Sequence, residues 1–122
     1  MKKDIVSKFD IDKLVKVFYK RVTEDPQLSR YFMKKEDKEP FLNTVKLFWE
    51  NVVFFTGSYN GNPMEIHRDI HKKMPLTSES FTIWLDIFYS TVDELFEGTK
   101  AEFIKQRAKS IATVMQVKIL DT

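Results

Sequence analysis

Glycine and proline are scarce in this chain, and they fall in few places. Only three Gly and four Pro occur in 122 residues. Gly57, Gly61 and Pro63 cluster, while Pro26, Pro40, Pro75 and Gly98 stand apart and leave long uninterrupted stretches between them. A many-stranded fold needs a turn signal every ~8–12 residues, which this spacing does not supply. Helices are favoured. No segment alternates cleanly between apolar and polar residues, and there is no internal repeat. The expected fold class is all-α, with about five helices in one domain spanning residues 1–122.

Apolar periodicity and punctuation place those helices. Asp10 reads as the first N-cap, with Phe9 and Leu14 at hydrophobic-staple spacing. Ile11, Leu14, Val15, Phe18 and Val22 then share one face, and Asp25-Pro26 ends the helix. A short segment over 28–33 carries Tyr31 and Phe32. The charged run Lys34-Lys35-Glu36-Asp37-Lys38-Glu39 reads as a solvated turn. A second long helix starts near Pro40, with Phe41, Val45, Phe48, Val52 and Phe55 as its stripe, widened by Leu42, Trp49 and Val53. It is expected to end at Gly57. Asn62-Pro63-Met64-Glu65 combines an N-cap, a proline in the first turn and an acid near the helix N-terminus. The short helix it opens stops by Pro75. Thr77 opens the next, buried along Phe81, Trp84, Leu85, Phe88 and Val92 and terminated by Gly98. Thr99-Lys100-Ala101-Glu102 reads as a capping box for the last helix, which shows Ile104, Ala108, Ile111, Ala112, Met115 and Ile119 on one face.

Composition narrows the function classes. The absence of Cys excludes disulfides and thiolate metal sites. Twenty Lys+Arg against 18 Asp+Glu give a net charge of only +2, too small and too dispersed to indicate nucleic acid. No apolar run suits a secretory signal or a bilayer span, so a cytoplasmic protein is expected. Aromatic residues make up 14% of the chain, 11 of them Phe. Such a load suits a packed core and equally the walls around a flat apolar ligand.

His67 and His71 are the only histidines, one turn apart on one helix face. Three readings remain open from the residues alone. Both are surface groups beside Arg68, Asp69, Lys72 and Lys73. Or they are a zinc pair, although Arg68 stands where a His-Glu-x-x-His motif has its Glu and no further His or Cys completes the shell. Or one is the axial ligand of a haem, which needs one strong protein ligand and apolar walls. Tyr19, beside Phe18, is either a partly exposed phenol or a donor into a ligand cavity. Trp49 and Trp84 read first as core, each indole N–H wanting a partner when buried. No nucleophile stands beside a base and an acid. Gly57-Ser58-Tyr59-Asn60-Gly61 lacks the Lys-Ser/Thr of a phosphate loop.

Ordered landmarks carry a resemblance. Phe18-Tyr19, Phe48-Trp49, the block Gly57-x-Tyr59-x-Gly61-x-Pro63-Met64-x-x-His67, Pro75-Leu76-Thr77, Phe81 and Trp84-Leu85 resemble the group III truncated haemoglobins over nearly the whole chain. The resemblance implies a globin-like, truncated two-over-two helical sandwich around haem b. It implies a proximal His from the short helix, a distal Tyr19 with Phe18 beside it, Trp84 near the haem, and Phe32 against the haem edge. Phe41, Val45, Phe48 and Met64 complete the expected cofactor contacts. Group III members often carry a distal His eight residues before the Trp of the second long helix; here Phe41 stands there.

Counting forward from Pro63 makes His67 the iron ligand, and counting back from Trp84 makes it His71. The largely apolar neighbours of His67 (Pro63, Met64 and Ile70) favour His67. His71, Arg68 or Lys72 is then placed to pair with haem propionates. The implied function is binding of O2, NO or CO at haem iron, in oxygen binding or transport. One alternative is peroxide or NO detoxification with electrons from an external reductase. Another is a helical interaction module without haem. A monomer or weak dimer is expected, with no nucleic-acid or membrane partner.

Overall fold

The computed structural model describes residues 2–32, 38–57 and 61–120. Within them five α-helices follow in order: α1 (Lys8–Glu24), α2 (Lys38–Phe54), α3 (Pro63–Lys73), α4 (Ser78–Leu95) and α5 (Thr99–Met115). A 3₁₀ turn, Ser29–Phe32, lies between α1 and α2, and a π turn, Gln116–Leu120, extends α5. No strand occurs among the described residues. None of their helices is long and apolar enough to cross a membrane.

The helices stack as two pairs. α1 packs on α2 and α4 on α5, while α1 also meets α4 and α2 meets α5. Phe18 is fully buried where the pairs meet, its ring edge-on to Trp84 at 5.4 Å and to Phe88 at 5.0 Å. Phe88 is stacked between Trp84 at 5.5 Å and Trp49 at 5.0 Å. Offset-stacked and edge-on contacts of this kind fix ring orientation as well as burying area. A smaller cluster of Phe81, Ala112, Met115 and Ile119 joins α4, α5 and the π turn.

Several helix starts follow the expected chemistry. The Asn62 side chain accepts from the Glu65 amide at 3.2 Å, with Pro63 as the first helical residue. At α4, Ser80 N donates to Thr77 Oγ1 at 3.0 Å and Thr77 N to Ser80 Oγ at 2.8 Å. This reciprocal pair satisfies two amides that lack helical acceptors.

Four expectations are corrected. The first helix is capped by Ser7, not Asp10. Asp10 sits three residues on, where its carboxylate reaches back to the Val6 and Ser7 amides at 2.9 and 3.2 Å. Phe9 is consequently one residue inside the helix and 75% exposed, so no staple with Leu14 forms. Second, the last two residues of the charged run, Lys38 and Glu39, already belong to α2; positions 33–37 lie outside the described residues. Third, α2 ends at Phe54, and Phe55 leaves its stripe. Phe55 turns to φ 55° and is 81% exposed, while Gly57 at φ 69° donates its amide to Asn51 Oδ1 at 2.7 Å. Fourth, no capping box opens α5. Its N-cap is Gly98, and the Lys100 and Ala101 amides both donate to the Asp4 carboxylate at 2.9 Å. A distant acid thus does what a local pair was expected to do.

Gly98 is required on two counts. Its φ of +147° disfavours other residues, and a Cβ there would lie 2.5 Å from Asp4 Cγ.

Candidate functional site

α3 is the helix that does not join the core. It is amphipathic, yet none of its residues is buried, and it packs chiefly on the π turn. Its apolar face, with Pro63, Ile66, His67 and Ile70, borders a cavity of about 240 Å3. The other walls come from Tyr19 of α1, Phe41, Val45 and Phe48 of α2, Phe81 and Trp84 of α4, and Ile111 and Met115 of α5. This explains why the α2 stripe divides in two. Val53 is buried in the core, as is Trp49, which also borders the cavity, whereas Phe41, Val45 and Phe48 are half-buried and face the cavity.

Among the described lining residues there is no Lys, Arg, Asp or Glu. Several polar atoms in the walls are already engaged. Ser80 is held in its capping pair, Thr44 Oγ1 donates to the Pro40 carbonyl at 3.0 Å, and Tyr31 Oη donates to the Pro75 carbonyl at 2.8 Å. Tyr19 and His67 are the two lining groups whose chemistry suits a guest.

Tyr19 is buried, with Phe18 at 4.8 Å and Phe41 at 5.3 Å, both edge-on to its ring. Burial pushes its phenol up to about 12, against the opposing effect of a hydrogen bond from Trp84. An indole N–H only donates. Its effect on Tyr19 is therefore that of a donor turned towards the phenol oxygen. At neutral pH this position presents a neutral O–H donor.

His67 Nδ1 lies 2.7 Å from the Pro63 carbonyl oxygen. A carbonyl only accepts, so Nδ1 carries the proton and the lone pair of the neutral ring is on Nε2. A backbone bond of this kind sets the tautomer and orientation of metal-binding imidazoles. His71 is wired the other way. Its Nδ1 accepts from the Leu76 amide at 2.8 Å, which leaves the proton on Nε2, and it is not among the lining residues.

The donor set favours one kind of metal. Among the described residues no group of three or more His, Cys, Asp or Glu could hold an ion, so the His pair has no further ligands with which to build a zinc shell. A haem brings its own equatorial ligands and needs one axial imidazole inside apolar walls. That is the chemistry assembled here, and the cavity residues fit it.

The fold therefore brings together Tyr19, Phe41, Val45, Phe48, His67 and Trp84 of the residues expected at the site. It does not bring Phe18, which is core behind Tyr19, or Met64, which packs against the Phe81–Met115 cluster. The side chain of Phe32 lies outside the described set, as do Ser58, Tyr59 and Asn60 of the glycine-flanked block. Sequence reasoning missed Tyr31, Ile66, Leu76 and Ile111 as wall residues. Ile66 is the next-door neighbour of His67 and Ile111 lies on the apolar face of the last helix, so both were readable from their helices; Tyr31 and Leu76 carry no local signal.

Comparison with known proteins identifies the family and the fold. The family model for bacterial-like globins matches residues 4–119. A group 3 truncated haemoglobin of Campylobacter jejuni is 31% identical over 121 residues, covering 95% of this chain and 93% of that protein. The crystal structure of the group III truncated haemoglobin from Campylobacter jejuni superposes with a TM-score of 0.87 at 28% identity, covering 98% of this chain and 95% of that one.

Proposed function

This chain belongs to the bacterial-like globins, in the group III truncated haemoglobin branch, and from that premise we propose that its cavity holds haem b through His67 and meets a diatomic guest with Tyr19. Haem-based binding of a diatomic gas is the activity of that family. When held, haem supplies an iron that binds the gas. The protein's residues decide what holds the ring and what surrounds the guest.

The observation that carries the reading is the His67–Pro63 hydrogen bond of 2.7 Å in the wall of a cavity that is otherwise apolar. It orients the imidazole and leaves Nε2 as the coordinating nitrogen. Ile66 and Ile70 flank it on the same helix and add apolar wall beside it. Tyr19, in a different wall, offers the guest an O–H. Phe18 and Phe41 pack edge-on against its ring at 4.8 and 5.3 Å, so the donor is restrained before the guest arrives, which lowers the cost of ordering it on binding. Phe41 and Phe48 exclude water from the same space and strengthen that hydrogen bond by lowering the local dielectric.

Phe41 stands where many relatives have a distal imidazole. No titratable group replaces it among the described lining residues beyond Tyr19, Tyr31 and His67. The site therefore suits reversible gas binding better than a reaction that moves protons to and from the guest.

The test is an absorption spectrum of the purified chain titrated with haem. A Soret band saturating at one haem per chain, with a further shift on reduction and exposure to CO, is expected. A chain that leaves the spectrum of free haem unchanged overturns the reading.

A further inference from the structure

Arg30 is held at the solvent side of the cavity and pairs with no carboxylate among the described residues. Its guanidinium carbon lies 5.0 Å over the Tyr31 ring, and its Nη2 donates to Tyr31 Oη at 3.1 Å. Tyr31 lines the cavity, and its hydroxyl donates to the Pro75 carbonyl at 2.8 Å, next to the lining residue Leu76. The 3₁₀ turn, with Arg30, is thereby tied to the turn between α3 and α4. Stacking on an aromatic face and a hydrogen bond together restrain a side chain that is otherwise among the most mobile.

The cavity itself has no cation in its described lining. A guest with an apolar body and an acidic edge must therefore leave that edge outside, at the rim. A guanidinium has five N–H donors in a planar fork matched to a carboxylate. One of its nitrogens already serves Tyr31, and the rest of the fork remains for an anion. We propose that Arg30 is a carboxylate-binding residue at the cavity rim, and that it anchors an acidic substituent of the guest. Resting on the haem reading above, it assigns Arg30 to a haem propionate. Arg68 and Lys72 of α3, the candidates that helix periodicity supplies, are exposed and have no comparable restraint among the described contacts. Arg30 is remote from His67 in sequence and reaches the cavity rim only through the fold.

The experiment compares two guests, protohaem and its dimethyl ester, in which both carboxylates are masked. Loss of each to an excess of a haem-scavenging apoprotein is timed for wild type, Arg30→Gln and Arg30→Lys. Arg30→Gln is expected to lose protohaem about 3- to 5-fold faster, the upper end of the range for an exposed charged pair. Its loss of the dimethyl ester should match wild type within about twofold. Arg30→Lys, which keeps the charge without the fork, should fall between. Equal acceleration of both guests would mean that Arg30 acts only by bracing Tyr31, and would overturn the assignment. No acceleration of either would do the same. A wild-type chain that holds neither haem overturns the haem reading and this assignment together, whereas a wild type that holds both, with Arg30→Gln unchanged, overturns this one alone.

Discussion

Tyr19 and Trp84 both set their rings edge-on to Phe18, at 4.8 and 5.4 Å, and burial raises the Tyr19 phenol to about 12. The pair comes from α1 and α4 and meets beside Phe18, which touches both rings. The donor offered to a guest is thus a neutral O–H over the whole physiological range. Removing it in Tyr19→Phe should speed oxygen release from the haem-loaded protein by about tenfold or more, the scale of one good hydrogen bond to a partly charged acceptor. Stopped-flow release rates equal to wild type would remove Tyr19 from that role.

The same phenol predicts an alkaline effect. Its folded value lies above the ordinary 10, so between these values the native chain holds a proton that the unfolded chain has lost. Stability should therefore fall as pH rises from 10 towards 12. Ultraviolet titration should show a phenol ionising with a midpoint near 12. That late titration should be missing in Tyr19→Phe. If no phenol of the folded protein ionises that late, Tyr19 is not buried as described.

Asp4 is predicted to be a stability residue far from the site. Burial pushes its carboxyl up, but the Lys100 and Ala101 amides outweigh this and hold it below the ordinary carboxylate range. Asp4→Asn should cost about 1 kcal/mol at neutral pH, as loss of a helix cap does. For an acid with a lowered folded value, the contribution is present above the unfolded value of 3.8 and is lost as pH falls through the folded one. The gap between wild type and Asp4→Asn in urea melts should therefore shrink below about pH 4. A gap independent of pH would contradict the carboxylate's role.

Gly98→Ala tests the same joint from the other side. A methyl group there would meet Asp4 Cγ at 2.5 Å on a backbone at φ +147°. A loss of about 2–4 kcal/mol is expected, combining backbone strain with displacement of the cap. Because the two changes strike one contact, Asp4→Ala with Gly98→Ala should cost less than the sum of the single changes. Strict additivity would mean that the two residues do not act together.

The helices and their order were legible in the sequence because long apolar stripes between sparse breakers leave little choice. Asn62, Pro63 and Thr77 announced their helices through local chemistry that the structure keeps. What was not legible depended on distance. The α5 cap comes from Asp4, on the far side of the chain. Phe9 and Phe55 looked like core from their spacing, yet both face outwards: one sits just inside the Ser7 cap, the other in a left-handed turn. At the site, the lining faces of α2 and α3 were readable from periodicity. Which imidazole presents Nε2 was not, since it turns on the Pro63 carbonyl and the Leu76 amide.

The central claim is that His67 is the iron ligand, and separate substitution of the two histidines tests it most directly. Haem titration of His67→Gly should give no stable five- or six-coordinate Soret spectrum until imidazole is added, which should restore it by occupying the place of the lost side chain. His71→Ala should keep the wild-type spectrum, with at most a modest loss of stability from the freed Leu76 amide. If His71→Ala loses the haem spectrum and His67→Gly keeps it, the account of the site is wrong.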